Sequence, residues 1–165
     1  MMIDAVLFYV FAAIAVASAV VVIGQRNPMY SAFALVVTLC SVAVIFGLLG
    51  SPFIAVLQVI VYAGAIMVLF LFVLMLLNVK REKDSPSRGQ RTLSGVALAL
   101  VTVLVLQAGA VLLRSRPTPA PDYDASTFEM AKILFSPHFL YAFEATSILI
   151  LAALVGAVVL AKKEL

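Results

Sequence analysis

The sequence has little of the chemistry that soluble enzymes and nucleic-acid-binding proteins use. It contains one cysteine, one histidine and no tryptophan, and only 12% of its 165 residues are charged. The single cysteine, Cys40, excludes an intrachain disulfide and a thiolate metal cluster built by this chain alone. The single histidine, His138, cannot supply both ligands of a bis-histidine haem. The few basic residues form no groove for phosphates, so nucleic acid is not an expected partner.

Long apolar runs dominate the chain instead. It is 65% hydrophobic with a mean hydropathy of +1.20, values outside the range of soluble domains. A bilayer core is crossed by about 20 apolar residues of α-helix. Five runs reach that length, so the sequence predicts an all-α integral membrane protein with one membrane domain, 1–165. The predicted spans are about 3–23, 29–49, 53–78, 93–113 and 139–161.

The connections between the runs carry turn and capping signals. Pro28 suits the first turn of the second span, and Gly50-Ser51-Pro52 is short enough to make spans two and three antiparallel neighbours. A charged loop follows at 79–92, and the longest connection is 114–138. Within that connection, Ser126-Thr127-Phe128-Glu129 fits a capping box. The pattern predicts a short interfacial helix before the last span.

The distribution of basic residues predicts the orientation of the chain in the membrane. Loops on the cytoplasmic side are enriched in Lys and Arg close to the ends of the spans. If the N-terminus lies outside, eight of the eleven basic residues lie on the cytoplasmic side. We therefore predict an outer N-terminus, a cytoplasmic C-terminus, a cytoplasmic loop at 79–92 and an outer loop at 114–138.

The third run holds the least expected residues, because Gln58, Tyr62 and Gly64 interrupt a stretch without any charge. Glycine in a helix costs about 1 kcal/mol relative to alanine, and an amide in lipid needs a hydrogen-bonding partner. These residues indicate a packed or water-lined face. The simpler alternatives are close helix packing at Gly64, a hydrogen bond from Tyr62 to a carbonyl, and a role for Gln58 as interhelical glue.

Glu144 lies inside the fifth predicted span, about a turn and a half from its outer end. Carboxylates within membrane spans are costly and by default indicate function. A carboxylate near a helix N-terminus is also favourable for purely structural reasons. Both a structural and a proton-related role are therefore open for Glu144.

The third span carries a family resemblance. The run VIVYAGAIMVLFLFVLMLLN at 59–78 resembles the third helix of the NuoJ family, the J-type membrane subunit of respiratory complex I. Asn27-Pro28, Leu134-Phe135-Ser136-Pro137 and Glu144 with its following aliphatic run resemble the same family, so the likeness covers nearly the whole chain. Family members have five helices and an outer N-terminus, in agreement with the distribution of basic residues.

The resemblance implies a subunit of a proton-translocating NADH:quinone oxidoreductase, an enzyme of the electron transport chain, in the bacterial inner membrane. Its expected partners are the lipid bilayer and the A-, H-, K- and N-type membrane subunits. NADH, flavin, iron–sulfur clusters and quinone are expected in partner subunits. This chain is expected to bind no cofactor or metal and to supply no catalytic residue.

The resemblance also implies a role for the third helix in gating. In the family this helix can hold a π-bulge, and its change to a regular α-helix is thought to open and close a water path. That region maps here to Tyr62, Gly64 and Val68, with Gln58 and Glu144 as further proton-path candidates. Gln58 departs from relatives that carry a carboxylate, so it would order water rather than relay protons. The alternatives are a subunit of a multisubunit cation/proton antiporter and a purely structural membrane-arm subunit.

Overall fold

The structure is a computed structural model, and it describes residues 2–77, 88–114 and 126–162. All regular secondary structure within these ranges is helical. The chain forms two compact units, one made of Met1–Asn78 with Asp124–Leu165 and the other of Val79–Tyr123. In chain order the elements are α1 Met2–Gly24, α2 Pro28–Leu48, α3 Pro52–Leu57, a π-helix Gln58–Ile66, α4 Met67–Leu77, α5 Arg88–Arg114, α6 Thr127–Leu134 and α7 Leu140–Ala161.

Four helices in the described ranges are long and apolar enough to cross a membrane. They are α1, α2, α7 and the continuous helix Pro52–Leu77, here called the third span, which joins α3, the π-helix and α4. Their ends agree with the predicted spans to within one residue. The third span has 26 residues, more than the roughly 20 that a crossing needs.

The fourth predicted span, 93–113, corresponds to α5 in the second unit. The apolar part of α5, Ala97–Val111, is shorter than the four spanning helices, so the described structure does not establish a fifth span. This helix also begins earlier than predicted, because Arg88 is already helical although the charged loop was predicted to extend to residue 92. The charged residues at 78–87 lie outside the described ranges.

Local capping signals set where several helices begin. The Asn27 side chain accepts a hydrogen bond of 3.0 Å from the Met29 backbone N–H, and Pro28 occupies the first helical position of α2. Gly50 in the next turn has a φ of 76°, a left-handed conformation that glycine adopts without steric cost. The Ser126 half of the predicted capping box is confirmed at α6, where Ser126 Oγ accepts a hydrogen bond of 3.4 Å from the Glu129 backbone N–H.

The second helix is the centre of the first unit, because it packs against both α1 and the third span. Small residues allow close approach, and Ala32 and Ala43 are buried. Two hydrogen bonds join α2 to α1. Ser31 Oγ donates to the Val22 carbonyl at 2.8 Å, and the hydroxyls of Ser18 and Thr38 lie 2.8 Å apart.

The two C-terminal helices of the first unit differ in how they are held. The short helix α6 contacts α3, and an ion pair of 2.8 Å joins its Lys132 and Glu129. Phe135, just after α6, makes an edge-on contact with Phe143 of α7, with ring centroids 5.0 Å apart. Beyond that contact α7 is exposed, and none of its residues is buried.

Candidate functional site

The third span contains a nine-residue π-helix at Gln58–Ile66, where backbone hydrogen bonds reach one residue further than in an α-helix. At its end the Met67 backbone N–H is shared between the carbonyls of Gly64 and Tyr62. Leu57 and Met67, which flank the π-helix, both have regular α-helical dihedrals. The helix therefore widens and narrows again without a break in the chain.

Gly64 lies at a point where the widened helix leaves little room for a side chain. A Cβ atom added there would lie 3.1 Å from the carbonyl oxygen of Val59, five residues earlier in the same helix. That separation is shorter than an ordinary carbon–oxygen contact, which begins near 3.3 Å even for weak C–H···O interactions. The π-helix therefore accommodates glycine at this position without strain, and any other residue must shift the backbone.

The π-helix and α4 turn one face toward α2 and leave the rest uncovered. Ala63 and Met67 are buried, and both the π-helix and α4 pack on α2. Gln58 is half-buried, whereas Tyr62 is 51% and Val68 63% exposed in the isolated chain. Tyr62 makes no hydrogen bond within the described residues, so the simple interpretation of a hydroxyl bonded to a carbonyl of this chain does not hold there.

The structure brings together only some of the predicted site residues. Gln58, Tyr62 and Gly64 all belong to the π-helix, and Val68 is the second residue of α4. Glu144 is the fifth residue of α7, and α7 is not among the helices that pack extensively on the π-helix within the described residues. The structure therefore does not make Glu144 part of the third span.

An open apolar groove of about 570 Å³ runs between the C-terminal half of α2 and the start of the third span. Ala43 and Gly47 line one side, and Ala55, Val59 and Ile60 line the other. Val59 and Ile60 are π-helical, so a change of helix type would alter the groove wall. Because the lining is wholly apolar, the groove offers ordered water no hydrogen bonds.

Three features of this site were not predicted from the sequence. They are the close approach to the Val59 carbonyl, the buried pair Ala63 and Met67, and buried Ser41 of α2, whose hydroxyl donates to the Val37 carbonyl at 2.8 Å. The four-residue spacing of Ala63 and Met67 was a usable signal for one packed face. It is weak in a span where nearly every residue is apolar.

Metal-ligating residues do not cluster in the described parts of the chain. Within residues 2–77, 88–114 and 126–162, no three His, Cys, Asp or Glu side chains come close enough to hold a metal ion. Cys40 is exposed on α2 and is not part of any such group. The chemistry available at the third span is therefore that of hydroxyl, amide and backbone groups.

Comparisons with known proteins give one consistent family. The sequence profile described as NADH-ubiquinone/plastoquinone oxidoreductase chain 6 matches residues 18–160. NADH-quinone oxidoreductase subunit J of Rhodobacter capsulatus is 34% identical over 160 residues, which cover 93% of this chain and 79% of that protein. The NAD(P)H-quinone oxidoreductase subunit 6 of the Paulinella chromatophora chromatophore is 36% identical over 160 residues, covering 96% and 78%. A Buchnera aphidicola subunit J is 49% identical over 63 residues, covering 38% and 37%.

Proposed function

Because the chain belongs to the NADH-ubiquinone/plastoquinone oxidoreductase chain 6 family, which includes subunit J of complex I, we propose that its third span gates a water path for protons. As a member of this family, the chain is a multi-pass membrane-arm subunit of NADH-quinone oxidoreductase, and its partners are other complex I subunits. What we propose beyond this is how the chain contributes to the reaction. The third span would couple quinone reduction elsewhere in the complex to proton translocation.

The observation that carries this proposal is a π-helix at the stretch of the third span where Gln58, Tyr62 and Gly64 interrupt an uncharged apolar run. π-helical turns concentrate at functional sites and are less stable than α-helix. Removing the extra residue from the widened turn would rotate one end of the span by about 100° relative to the other, since an α-helix has 3.6 residues per turn. Such a rotation would move Tyr62 and Val68 relative to the fixed face that packs on α2.

The polar residues have different parts in the proposed path. Tyr62 offers a hydroxyl that can donate and accept, and the Gln58 amide can do both as well, so each can order water. The Gln58 amide can neither gain nor lose a proton in this role, so it can order water but cannot relay protons itself. They would hold a chain of water molecules rather than relay protons themselves. Val68 would be the apolar side chain that closes the path.

The topology of the chain, its partner subunits and the location of the cofactors are part of the same proposal. We place five spans across the bacterial inner membrane with the N-terminus outside, the fifth being α5 of the second unit. Partners of the A-, H-, K- and N-type would surround the chain. NADH, flavin, iron–sulfur clusters and quinone would bind to other subunits, so this chain would be a non-redox subunit of the translocase. Glu144 would act outside the third span.

Gly64→Leu tests the gating role. The leucine Cβ meets the Val59 carbonyl, so the variant should disfavour the π-helix and lower the number of protons pumped per NADH oxidised in reconstituted vesicles. The matched control is Gly109→Leu in α5, where an added Cβ meets nothing within 4 Å. Full pumping by Gly64→Leu in a normally assembled complex would refute the gate and favour a structural subunit.

Affinity purification tests the assembly that the proposal requires. A tag placed after Leu165 should carry with it a large complex that oxidises NADH with quinone. Recovery of the tag in a redox-inactive assembly that supports sodium-linked growth would favour the antiporter alternative instead. The relatives reported above are named as oxidoreductase subunits, which supports the first outcome.

A further inference from the structure

The last helix, α7, is apolar along its length and almost uncovered by the unit to which it belongs. It contacts that unit chiefly through Phe143, which packs on Phe135 after α6. Elsewhere large side chains are exposed over the whole helix, including Ile148 at 68% and Leu154 at 60%. In a membrane-arm subunit this surface faces either lipid or another subunit.

Glu144 distinguishes these two possibilities, because it places a carboxylate on the uncovered helix. It is exposed, and within the described residues it makes no hydrogen bond or ion pair. The hydroxyls of Thr146 and Ser147 do not donate to Glu144, since both donate to the Phe143 carbonyl, at 2.6 and 3.3 Å. Lys132 is engaged by Glu129 at 2.8 Å.

A carboxylate within a membrane-spanning helix is stabilised by a charged or polar partner. Glu144 is the fifth residue of α7, so its Cα lies about 6 Å along the axis from the start of the helix. Charged groups within membrane spans are costly unless they pair with an opposite charge or face a polar cavity. Tyr141 and Ile148, three residues before and four residues after, lie on the same side of the helix and are 78% and 68% exposed.

We propose that the α7 face formed by Tyr141, Glu144 and Ile148 is the contact with a transmembrane helix of another subunit, which presents a lysine or arginine opposite Glu144. Charge complementarity selects this occupant. A second copy of the chain would bring two carboxylates together on the same face, and lipid tails would leave the carboxylate unpaired. The inference rests on the place of the chain in a multisubunit membrane arm and is independent of the water path.

Photocrosslinking in the intact complex tests the contact. Tyr141→benzoylphenylalanine keeps Glu144 and an aromatic ring in place, and on illumination it should attach to a neighbouring subunit within about one turn of a lysine or arginine. The matched control is Phe143→benzoylphenylalanine, which faces Phe135 and should crosslink within the chain. Attachment of the Tyr141 probe only to lipid, to a second copy, or to a helix without a basic residue would overturn the proposal.

Charge reversal tests the pairing itself. Glu144→Lys should lower retention of the tagged chain in detergent-purified complex by roughly tenfold or more, as for loss of one partner of a buried ion pair. Glu144→Gln should be milder, because it keeps the shape and a hydrogen bond. Changing the crosslinked basic residue to glutamate should restore retention of Glu144→Lys. Equal retention of Glu144→Lys and the unaltered chain, or no rescue, would overturn the pairing.

These outcomes separate this inference from the proposed function. If the Tyr141 probe crosslinks to lipid in a complex that still oxidises NADH and pumps protons, the proposed α7 contact is refuted and the proposed gate is not. If Gly64→Leu pumps protons normally and the Tyr141 probe crosslinks near a basic residue of a partner, the proposed gate is refuted and the α7 contact is supported.

Discussion

Gly64→Ala is the smallest perturbation that separates the π-helical from the α-helical form of the third span. The added Cβ would lie 3.1 Å from the Val59 carbonyl oxygen, a backbone atom that cannot turn away as a side chain does. In the α-helical form the same methyl group would occupy the ordinary position of an alanine side chain. The substitution therefore destabilises the π-helical form and not the α-helical form.

The size of the effect follows from the contact. Moving the two atoms apart by a few tenths of an ångström requires a backbone distortion, and a bond-angle change of about 7° costs about 1 kcal/mol. The general gain of alanine over glycine in a helix, also about 1 kcal/mol, applies to both forms and cancels. The balance should therefore shift by about 1 kcal/mol toward α-helix, which is roughly fivefold in population.

Two measurements on the purified complex check this shift. Structure determination of the Gly64→Ala complex should show a reduced π-helical population between Gln58 and Ile66. Quinone-linked NADH oxidation should slow several-fold, whereas NADH oxidation with a water-soluble electron acceptor that bypasses quinone should not change. The control is Gly47→Ala in the adjacent helix, where the nearest atom to an added Cβ is Ala55 Cβ at an ordinary 3.9 Å.

Either of two results would show that Gly64 does not set the balance between the two helical forms. One is a Gly64→Ala complex that keeps the full π-helix and full activity. The other is an equal loss in Gly47→Ala, since that would trace the effect to helix packing rather than to the Val59 carbonyl.

Three further predictions concern the stability of the first unit. Gly50→Ala should cost about 1 kcal/mol because φ is 76°, and it should lower the temperature at which the complex dissociates, whereas Gly24→Ala, with open space around the added Cβ, should not. Ser18→Ala and Thr38→Val should show a coupling of about 0.6 kcal/mol in a double-mutant cycle on the same dissociation, and additive losses would deny a direct bond. Ser126→Ala should cost about 0.5–1 kcal/mol and speed hydrogen exchange in α6, and unchanged exchange would contradict the capping role.

The elements that were predictable are those governed by neighbours in the chain. Long apolar runs give spans because helix is the form that pairs every backbone group inside lipid, and four of them end where predicted to within one residue. The beginning of α2 and the capping of α6 were predictable for a similar reason. Asn27 and Ser126 bond to backbone N–H groups only two and three residues away.

The candidate site was predictable only in part. Gln58, Tyr62 and Gly64 stand out in the sequence because they are polar or flexible in a span without charge, and their roles in proton movement stay predictions. The start of α5 shows where composition misleads. The polar residues predicted a loop to residue 92, yet the helix of α5 begins at Arg88, since Gln90 and Arg91 are polar residues of high helix propensity.

The sequence by itself determined the class of protein, its family, its apolar spans and the polar interruption in the third. These follow from composition and from residues close together in the chain. The tertiary structure decided which faces are used. It set the packing of Ala63 and Met67 on α2 and left most of α7 uncovered. In a chain that is apolar on all sides, hydrophobicity cannot distinguish one helix face from another, and only packing does.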